Sequence, residues 1–370
     1  MRRAAVLAIV VAAPAHAAPW TVTGEAGAEV DSNVQRVETG PGLVTSPVAA
    51  PVLRFGARAT HRDGALGGAY ALGLSDLTRV VENQGVAVEN VTLLGGDLRW
   101  LHPLGERPVS AGGAVTAVDA FPLGDAVGAR TFRSLGADAL IAMHAGDDRH
   151  LALAFGARAF VYKPAHELDW RGPAASARVD LILWQPAGHT RSLELAATLG
   201  FELRSYDAAA LADACPPGAP ADPKCTAPTD FLRRDRYQRA GVELTWVGSQ
   251  VAALGYQLTV IDSNSFGQSL ARHRVTASAT AAVGQTYATL LAILQIDKYL
   301  DGLVIQTDLH MDYTNIEDEN RSSVQLRIAR KLSSWWSLEG RAAIWRNLAR
   351  SSMELAFQRE LVYAGVIYTH

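Results

Sequence analysis

The feature that most restricts the fold of this chain is the regular alternation of apolar and polar residues along most of its length. Between Ser323 and Ile328, for example, three apolar residues occupy the even positions and three polar residues occupy the odd positions. A period of two predicts β-strands with one apolar and one polar face. A soluble sandwich would bury the apolar face, whereas a membrane barrel would turn it toward lipid. The alternation alone leaves both architectures open.

Residues 1–17, MRRAAVLAIVVAAPAHA, have the pattern of a secretory signal peptide. Two arginines precede a short apolar run, and Ala15-His16-Ala17 forms a small-x-small cleavage site. The run is too short to span a bilayer, so we expect cleavage before Ala18 and export of residues 18–370 as one domain. No later stretch has the roughly 18 uninterrupted apolar residues of a transmembrane helix. An exported chain of this kind can enter a membrane only as a closed barrel, because open sheet edges cannot face lipid.

The alternating segments predict an all-β fold, a closed antiparallel transmembrane β-barrel of about 16 strands, within a range of about 14–18. Residues 298–320 either form a loop or hold one more strand. We take them as a loop because the two ends of a bacterial barrel lie on one side, which requires an even number of strands. The patterns also predict a hairpin turn at Arg62-Asp63-Gly64 and the longest loop at 206–235. A secreted β-sandwich or lectin-like protein is the soluble alternative.

Two cysteines, Cys215 and Cys225, enclose a proline-rich segment. In an exported chain this spacing favours a disulfide; a metal-binding pair is the alternative, although no histidine lies between or beside the cysteines. The sequence lacks a Gly-rich phosphate loop, an HExxH motif and a GxSxG motif. We therefore predict no enzyme, no cofactor and no metal, and we assign Asp147, Asp148 and His150 to a tight turn.

Charge argues against nucleic acid as a partner. The chain has 34 lysines and arginines against 37 acidic residues, a formal net charge of −3. A nucleic-acid-binding protein needs a basic footprint, which this balance does not provide.

The last segment, YAGVIYTH, has the form polar-x-Gly-x-x-aromatic-x-aromatic, with Gly365, Tyr368 and His370 at the defining positions and histidine in place of the more usual Phe or Trp. With the signal peptide and the hairpin rhythm, this ending resembles bacterial outer-membrane β-barrels of the porin-like kind. The resemblance implies a location in the outer membrane of a Gram-negative bacterium, contact with its lipid, and insertion by the barrel-assembly machinery. In size and in its lack of motifs the chain is also similar to barrels that partner polysaccharide exporters, which implies a polysaccharide-export or other periplasmic envelope complex as a candidate partner.

If the apolar faces meet lipid, the polar faces line the lumen, and charged rings of this kind tune selectivity in pores. We therefore predict a porin-like channel for polar solutes or an exported polymer such as a polysaccharide. The alternative is a non-conducting structural or docking barrel, in which the same charges pair across strands to hold the sheet together. The lumen candidates are Arg54, Arg58, Arg99, Arg158, Arg178, Glu194, Glu202, Arg204, Arg239, Glu243, Arg272, Arg274, Arg327 and Arg341.

Six tryptophans fall at predicted strand ends beside short turns or at the chain start. Such a distribution predicts an aromatic belt at one membrane interface. The tryptophans are Trp20, Trp100, Trp184, Trp246, Trp335 and Trp336.

Overall fold

The computed structural model is a single closed barrel of antiparallel strands. Each strand pairs with its neighbours in sequence, and the last strand pairs with the first. The residues that the structure describes are 20–39, 46–106, 108–124, 127–128, 130–146, 148–186, 190–219, 225–301, 321–347 and 356–370. The predicted signal peptide lies outside them and stays a prediction.

Sixteen strands form the barrel, which confirms the predicted fold class and strand number. They are β1 (Thr21–Asp31), β2 (Ala50–Ala65), β3 (Gly68–Val81), β4 (Val91–Pro103), β5 (Val109–Pro122), β6 (Phe132–His144), β7 (Arg149–Tyr162), β8 (Trp170–Trp184), β9 (Ser192–Asp213), β10 (Thr226–Val247), β11 (Gln250–Ser263), β12 (Leu270–Val283), β13 (Thr286–Tyr299), β14 (Ser322–Lys331), β15 (Trp336–Arg346) and β16 (Gln358–Thr369).

Short and long connections alternate along the chain. The connections at one rim have two to seven residues, and those at the other rim have six to 22. We call these the short-turn rim and the long-loop rim. The long-loop side includes two 3₁₀ helices, Gln84–Glu89 and His166–Leu168. Within the described ranges, the structure contains no helix that is both long enough and apolar enough to cross a membrane.

The first hairpin turn lies after the predicted position. Arg62-Asp63-Gly64 belongs to β2, and the turn consists of Leu66 and Gly67, with φ of 53° and 73°. Two consecutive residues with positive φ form the turn that matches the twist of paired strands, and glycine adopts this conformation without a steric penalty. The Asp-Gly dipeptide was therefore a misleading signal.

The prediction that 206–235 is the longest loop is wrong in its bounds and in its length, since the connection between β13 and β14 is longer. β9 continues to Asp213 and β10 begins at Thr226, so the connection covers only 214–225. Their outer parts pair with each other beyond the ends of β8 and β11, forming a two-stranded ribbon above the rim. The pairing continues through irregular register near Leu232, which masked the alternation in the sequence.

The ambiguous segment 298–320 is only partly described. β13 ends at Tyr299, and residues 302–320 lie outside the described ranges. The sixteen described strands close the barrel.

Closure joins β1 to β16 over nine residue pairs from Thr23–Thr369 to Asp31–Leu361. The last residue extends the seam, because the His370 amide donates to the Val22 carbonyl at 2.8 Å and the Val22 amide donates to the His370 carbonyl at 2.9 Å. Gly27 and Gly365 face each other across this seam.

Candidate functional site

The two faces of the barrel wall differ sharply in chemistry. Large apolar side chains of one parity are exposed, including Leu199 and Val362, each 63% exposed. Charged side chains of the other parity are buried, including Asp31 at 0% and Arg79 at 2%. In a closed barrel only one parity can point outward, and an outward apolar face fits hydrocarbon. We infer that the polar face is the interior.

All fourteen lumen candidates lie on this polar face, opposite the apolar residues of their own strands. Most of the arginines have a carboxylate partner. The ion pairs are Arg54–Glu25 at 2.7 Å, Arg158–Asp138 at 2.8 Å, Arg178–Asp180 at 2.7 Å, Arg204–Glu202, Arg239–Glu202 at 3.8 Å, Arg272–Asp297 at 2.7 Å, Arg327–Glu339 at 2.5 Å and Arg341–Glu339 at 3.0 Å.

The other candidates have different surroundings. Arg58 and Arg99 are exposed and form no ion pair within the described part of the chain, and Glu243 is exposed as well. Glu194 accepts a hydrogen bond from the Ser192 hydroxyl at 2.6 Å, and Arg274 is half-buried.

Accessibility on the polar face depends on the distance from each rim. Toward the short-turn rim, Arg58, Arg99 and Arg178 are exposed. Toward the long-loop rim, Asp31 and Asp235 are fully buried. These described charged side chains are therefore more accessible toward the short-turn rim than toward the long-loop rim.

The strongest buried charge cluster lies next to the seam at the long-loop end. Arg79 donates to Glu29 at 2.6 Å and to Asp31 at 3.2 Å. Arg359 donates to the same Asp31 at 2.7 Å. All four side chains are at most 2% exposed, so each charge depends on its partners rather than on water.

A second cluster lies on the opposite wall. The Arg204 guanidinium lies between two rings, 4.1 Å from the Trp170 centroid and 3.9 Å from the Tyr237 centroid, and pairs with Glu202. Planar guanidinium groups stack on aromatic faces in this way, which stabilises both cation and ring. Near it Arg233, paired with Asp235, covers a further ring, that of Tyr206, at 4.3 Å.

Apolar packing also fills part of the long-loop half. Phe132 and Phe160 stack at 5.6 Å, and Phe160 stacks on Trp170 at 5.9 Å. Val91 and Leu93 complete this cluster from β4. These contacts explain why the neighbouring charges are buried.

A pocket of about 180 Å³ lies on the polar face, lined by residues of β6 to β10. Small residues such as Ser176 and Gly200 lie between Asp138–Arg158 on one side and Glu202 on the other. Its chemistry is polar and of mixed sign, so it suits hydrated solutes rather than apolar ones.

Sequence reasoning missed Asp31, Arg79, Arg233, Asp235 and Arg359 as members of the polar face. Their parity was a usable signal for Asp31 and Arg79, which continue the alternation of β1 and β3. Arg233 fell inside the supposed loop, and Arg359 stood at the very start of the last strand.

The disulfide Cys215–Cys225 is present, with Cα atoms 5.1 Å apart, in agreement with the predicted pairing. It links the ends of β9 and β10 at the tip of the projecting ribbon.

The three residues assigned to a tight turn are Asp147, Asp148 and His150. Asp148 pairs with Arg149 at 3.5 Å and His150 contacts His144 at 2.5 Å, while Asp147 lies outside the described residues.

The six tryptophans gather at the short-turn rim, as predicted. Trp184 stacks on Trp246 at 5.6 Å, and Trp336 contacts Tyr368 at 5.1 Å. Trp335 stacks on His370 at 4.6 Å, so the last residue of the chain belongs to the same belt. Rings at this level match a membrane–water interface.

The apolar face carries a carboxyl group in the middle of β3. Asp76 in β3 is flanked by Ala57 of β2 and Leu94 of β4. Its Oδ1 atom is buried and has no hydrogen-bond partner among the described residues. An ionisable group facing hydrocarbon is costly.

Changing Asp76 to leucine should therefore raise the free energy of unfolding by about 1–2 kcal/mol, because an unpaired carboxyl is removed from the lipid face. Urea unfolding of the barrel in lipid vesicles measures this. Asp97→Leu is the matched control, since Asp97 is exposed on the polar face of β4 and its loss should not stabilise the barrel. A destabilised Asp76→Leu would contradict the assignment of Asp76 to lipid.

Comparisons with known proteins give remote likenesses in architecture. No family model and no curated protein matches the chain. Among solved structures, a mutant of the Rh. blastica porin is 9% identical, with a TM-score of 0.39 over 95% of this chain and 99% of that chain. A bacterial polysaccharide outer-membrane secretin is 5% identical, with a TM-score of 0.45 over 94% and 98%. TodX, a monoaromatic hydrocarbon channel, is 9% identical, with a TM-score of 0.40 over 95% and 89%.

Proposed function

We propose that the protein is an outer-membrane channel of a Gram-negative bacterium, for small polar solutes or an exported polymer such as a polysaccharide. The proposal rests on charged side chains that are accessible on the inner face of the closed barrel. Arg58, Arg99 and Glu243 are exposed on the polar face, while the apolar face is exposed outside. Charged rings around water are the usual means by which pores select hydrated solutes.

The packed long-loop half would form the constriction. There the path passes the buried cluster around Asp31 and the stacked wall around Arg204. Opposed arginines and carboxylates across a narrow passage create a transverse field, which favours polar solutes over apolar ones.

Further parts of the proposal rest on the sequence. Residues 1–17 would direct export, Gly365, Tyr368 and His370 would be read by the barrel-assembly machinery, and a polysaccharide-export or other periplasmic complex is the candidate partner. Because the chain carries no recognised catalytic motif, we assign it no enzymatic activity.

A second candidate is a non-conducting structural or docking barrel. The dense packing at the long-loop end favours it, since Asp31, Asp235 and Arg359 are at most 2% exposed. In that case the projecting β9–β10 ribbon, with its disulfide, would be the recognition element.

Single-channel recording separates these candidates. The mature chain, 18–370, should give steady ohmic steps in a planar bilayer. The double variant Arg58→Glu/Arg99→Glu should shift the reversal potential in a KCl gradient toward cation selectivity by at least ~10 mV, because two accessible positive charges become negative. Arg149→Glu is the control, since Arg149 is exposed on the outer side of the short-turn rim.

A membrane-inserted, heat-modifiable barrel that gives no steps would overturn the channel and support the docking barrel. An equal shift in the Arg149 variant would show that surface charge, rather than the lumen, sets the selectivity.

A further inference from the structure

The apolar face carries a groove of about 510 Å³ between β7 and β11. Two adjacent rows of paired residues form it. One row runs Leu153–Ala177–Leu199–Ala240–Leu258, and the next runs Phe155–Ala175–Phe201–Gln238–Val260.

The shape of the groove follows from side-chain size. Ala175 and Ala177 lie on β8 between Leu153 and Phe155 on β7 and Leu199 and Phe201 on β9. Small side chains flanked by large ones leave a furrow along β8. Ala240 on β10, between Gln238 and Val242 on the same face, leaves only a short depression on the other side of the β9 ridge. The furrow along β8 has the form of a seat for a hydrocarbon chain.

Basic side chains lie on the same face as the groove, toward the long-loop rim. Arg171 lies on the same face of β8 as Ala175, four residues or about 13 Å along the strand. Arg234 and Arg236 lie on the same face of β10 as Ala240. Arg171 and Arg234 are exposed, and neither forms an ion pair with a described residue; Arg236 pairs with Asp262 at 2.9 Å.

Cross-strand register brings these arginines together. Arg171 pairs with Ser205 of β9, and Ser205 pairs with Arg234 of β10, so the two cations lie in one row with a single small residue between them. Exposed arginines about 13 Å along the strands from an apolar furrow, on the same face, match an amphiphile whose head is anionic and whose tail is apolar.

We propose that this surface is a specific binding site for a phosphorylated lipid of the leaflet at the long-loop rim. The guanidinium groups of Arg171 and Arg234 bind the phosphate, and an acyl chain lies in the furrow along β8. Arginine suits this role because its planar fork donates two hydrogen bonds to a phosphate and keeps its charge at any physiological pH. The site is on the outer wall and is independent of whether the lumen conducts.

The test is native mass spectrometry of the refolded mature chain. The chain is titrated with dioleoyl phosphatidic acid or with dioleoyl phosphatidylcholine. The two probes share their chains and differ in the exposed charge of the head. We expect phosphatidic acid to bind about tenfold more tightly, a ratio typical of one or two charge-assisted contacts. Arg171→Glu/Arg234→Glu should abolish this preference, and Ala177→Phe should weaken both lipids by filling a furrow.

Two matched controls lie elsewhere on the outer wall. Arg149→Glu removes a cation at the short-turn rim, and Ala277→Phe adds the same ring on β12, outside the groove. Both should stay within about twofold of the unchanged protein. Heat-modifiability on gels shows that each variant is folded, and Arg171→Gln/Arg234→Gln replaces the glutamate pair if that pair fails to fold.

The proposal is overturned if the unchanged protein binds both lipids equally. It is also overturned if Arg149→Glu loses the preference as fully as the double variant, because any surface cation would then suffice. An Ala177→Phe variant that binds like Ala277→Phe would show that the furrow holds no chain.

Discussion

Arg79→Met will lower the free energy of unfolding by about 3–5 kcal/mol, because it removes one partner from a buried ion cluster. Glu29 would lose its 2.6 Å contact, and Asp31 would keep Arg359 as its one remaining cationic partner among the described residues. Neither carboxylate can turn to water, since both are almost fully buried. Removing one charge from such a cluster costs far more than the cluster's net contribution to stability. Urea unfolding in vesicles, followed by tryptophan fluorescence, measures the change.

The matched control is Arg178→Met, which breaks the exposed pair Arg178–Asp180 on the same face of the wall. That change should cost less than about 1 kcal/mol. Adding Glu29→Gln to Arg79→Met should recover part of the loss, because the stranded charge is then removed. If Arg79→Met costs no more than Arg178→Met, the cluster is hydrated and the long-loop half is more open than its packing indicates.

Gly365→Val will also destabilise the barrel, by about 1–3 kcal/mol or more, because the seam has no room for a side chain at this position. A Cβ atom there would lie 2.6 Å from the Tyr363 ring and 2.8 Å from the Ala26 carbonyl oxygen. Tyr363 folds back over two glycines, Gly365 on its own strand and Gly27 on β1. The fraction of protein that refolds to the heat-modifiable form, together with urea unfolding, measures the effect.

Two further variants assign the cause. Gly340→Val is the control, since the nearest atom to a Cβ at Gly340 is 3.9 Å away, and it should be close to neutral. Gly27→Val places a Cβ 2.6 Å from Tyr363 but lies outside the proposed assembly signal. Equal damage from Gly27→Val and Gly365→Val in purified refolding would show that packing under Tyr363 is responsible. Damage from Gly365→Val only in cells would instead support recognition by the assembly machinery.

The two candidate functions assign different roles to the long-loop half of the interior. In a channel, the cluster around Asp31 and the wall around Arg204 form a rigid constriction whose charges are held in place by their partners. In a docking barrel, the same contacts close the lumen and stiffen the base of the β9–β10 ribbon. The Arg79→Met variant bears on both, because a loosened cluster should increase conductance only if a water path runs beside it.

Much of the architecture was predictable from the sequence because alternation is a local property. Two residues of a strand point to opposite sides whatever the strand pairs with, so the parity of Leu199 against Glu202, or of Ile328 against Arg327, already separated the two faces. The strand number followed from counting these segments, and the tryptophan belt followed from their ends. Errors arose where local signals misled, as with Asp63-Gly64 within β2 and with the irregular register near Leu232.

The pairing of charges, by contrast, was decided only by the tertiary structure. Asp31 and Arg359 are 328 residues apart and meet only because the barrel closes. Arg171 and Arg234 share a row only through the register of β8, β9 and β10, and Tyr363 covers Gly27 only across the seam. Alternation determines which face a side chain occupies, but register and closure determine its neighbours, because those depend on strands that are distant in the chain.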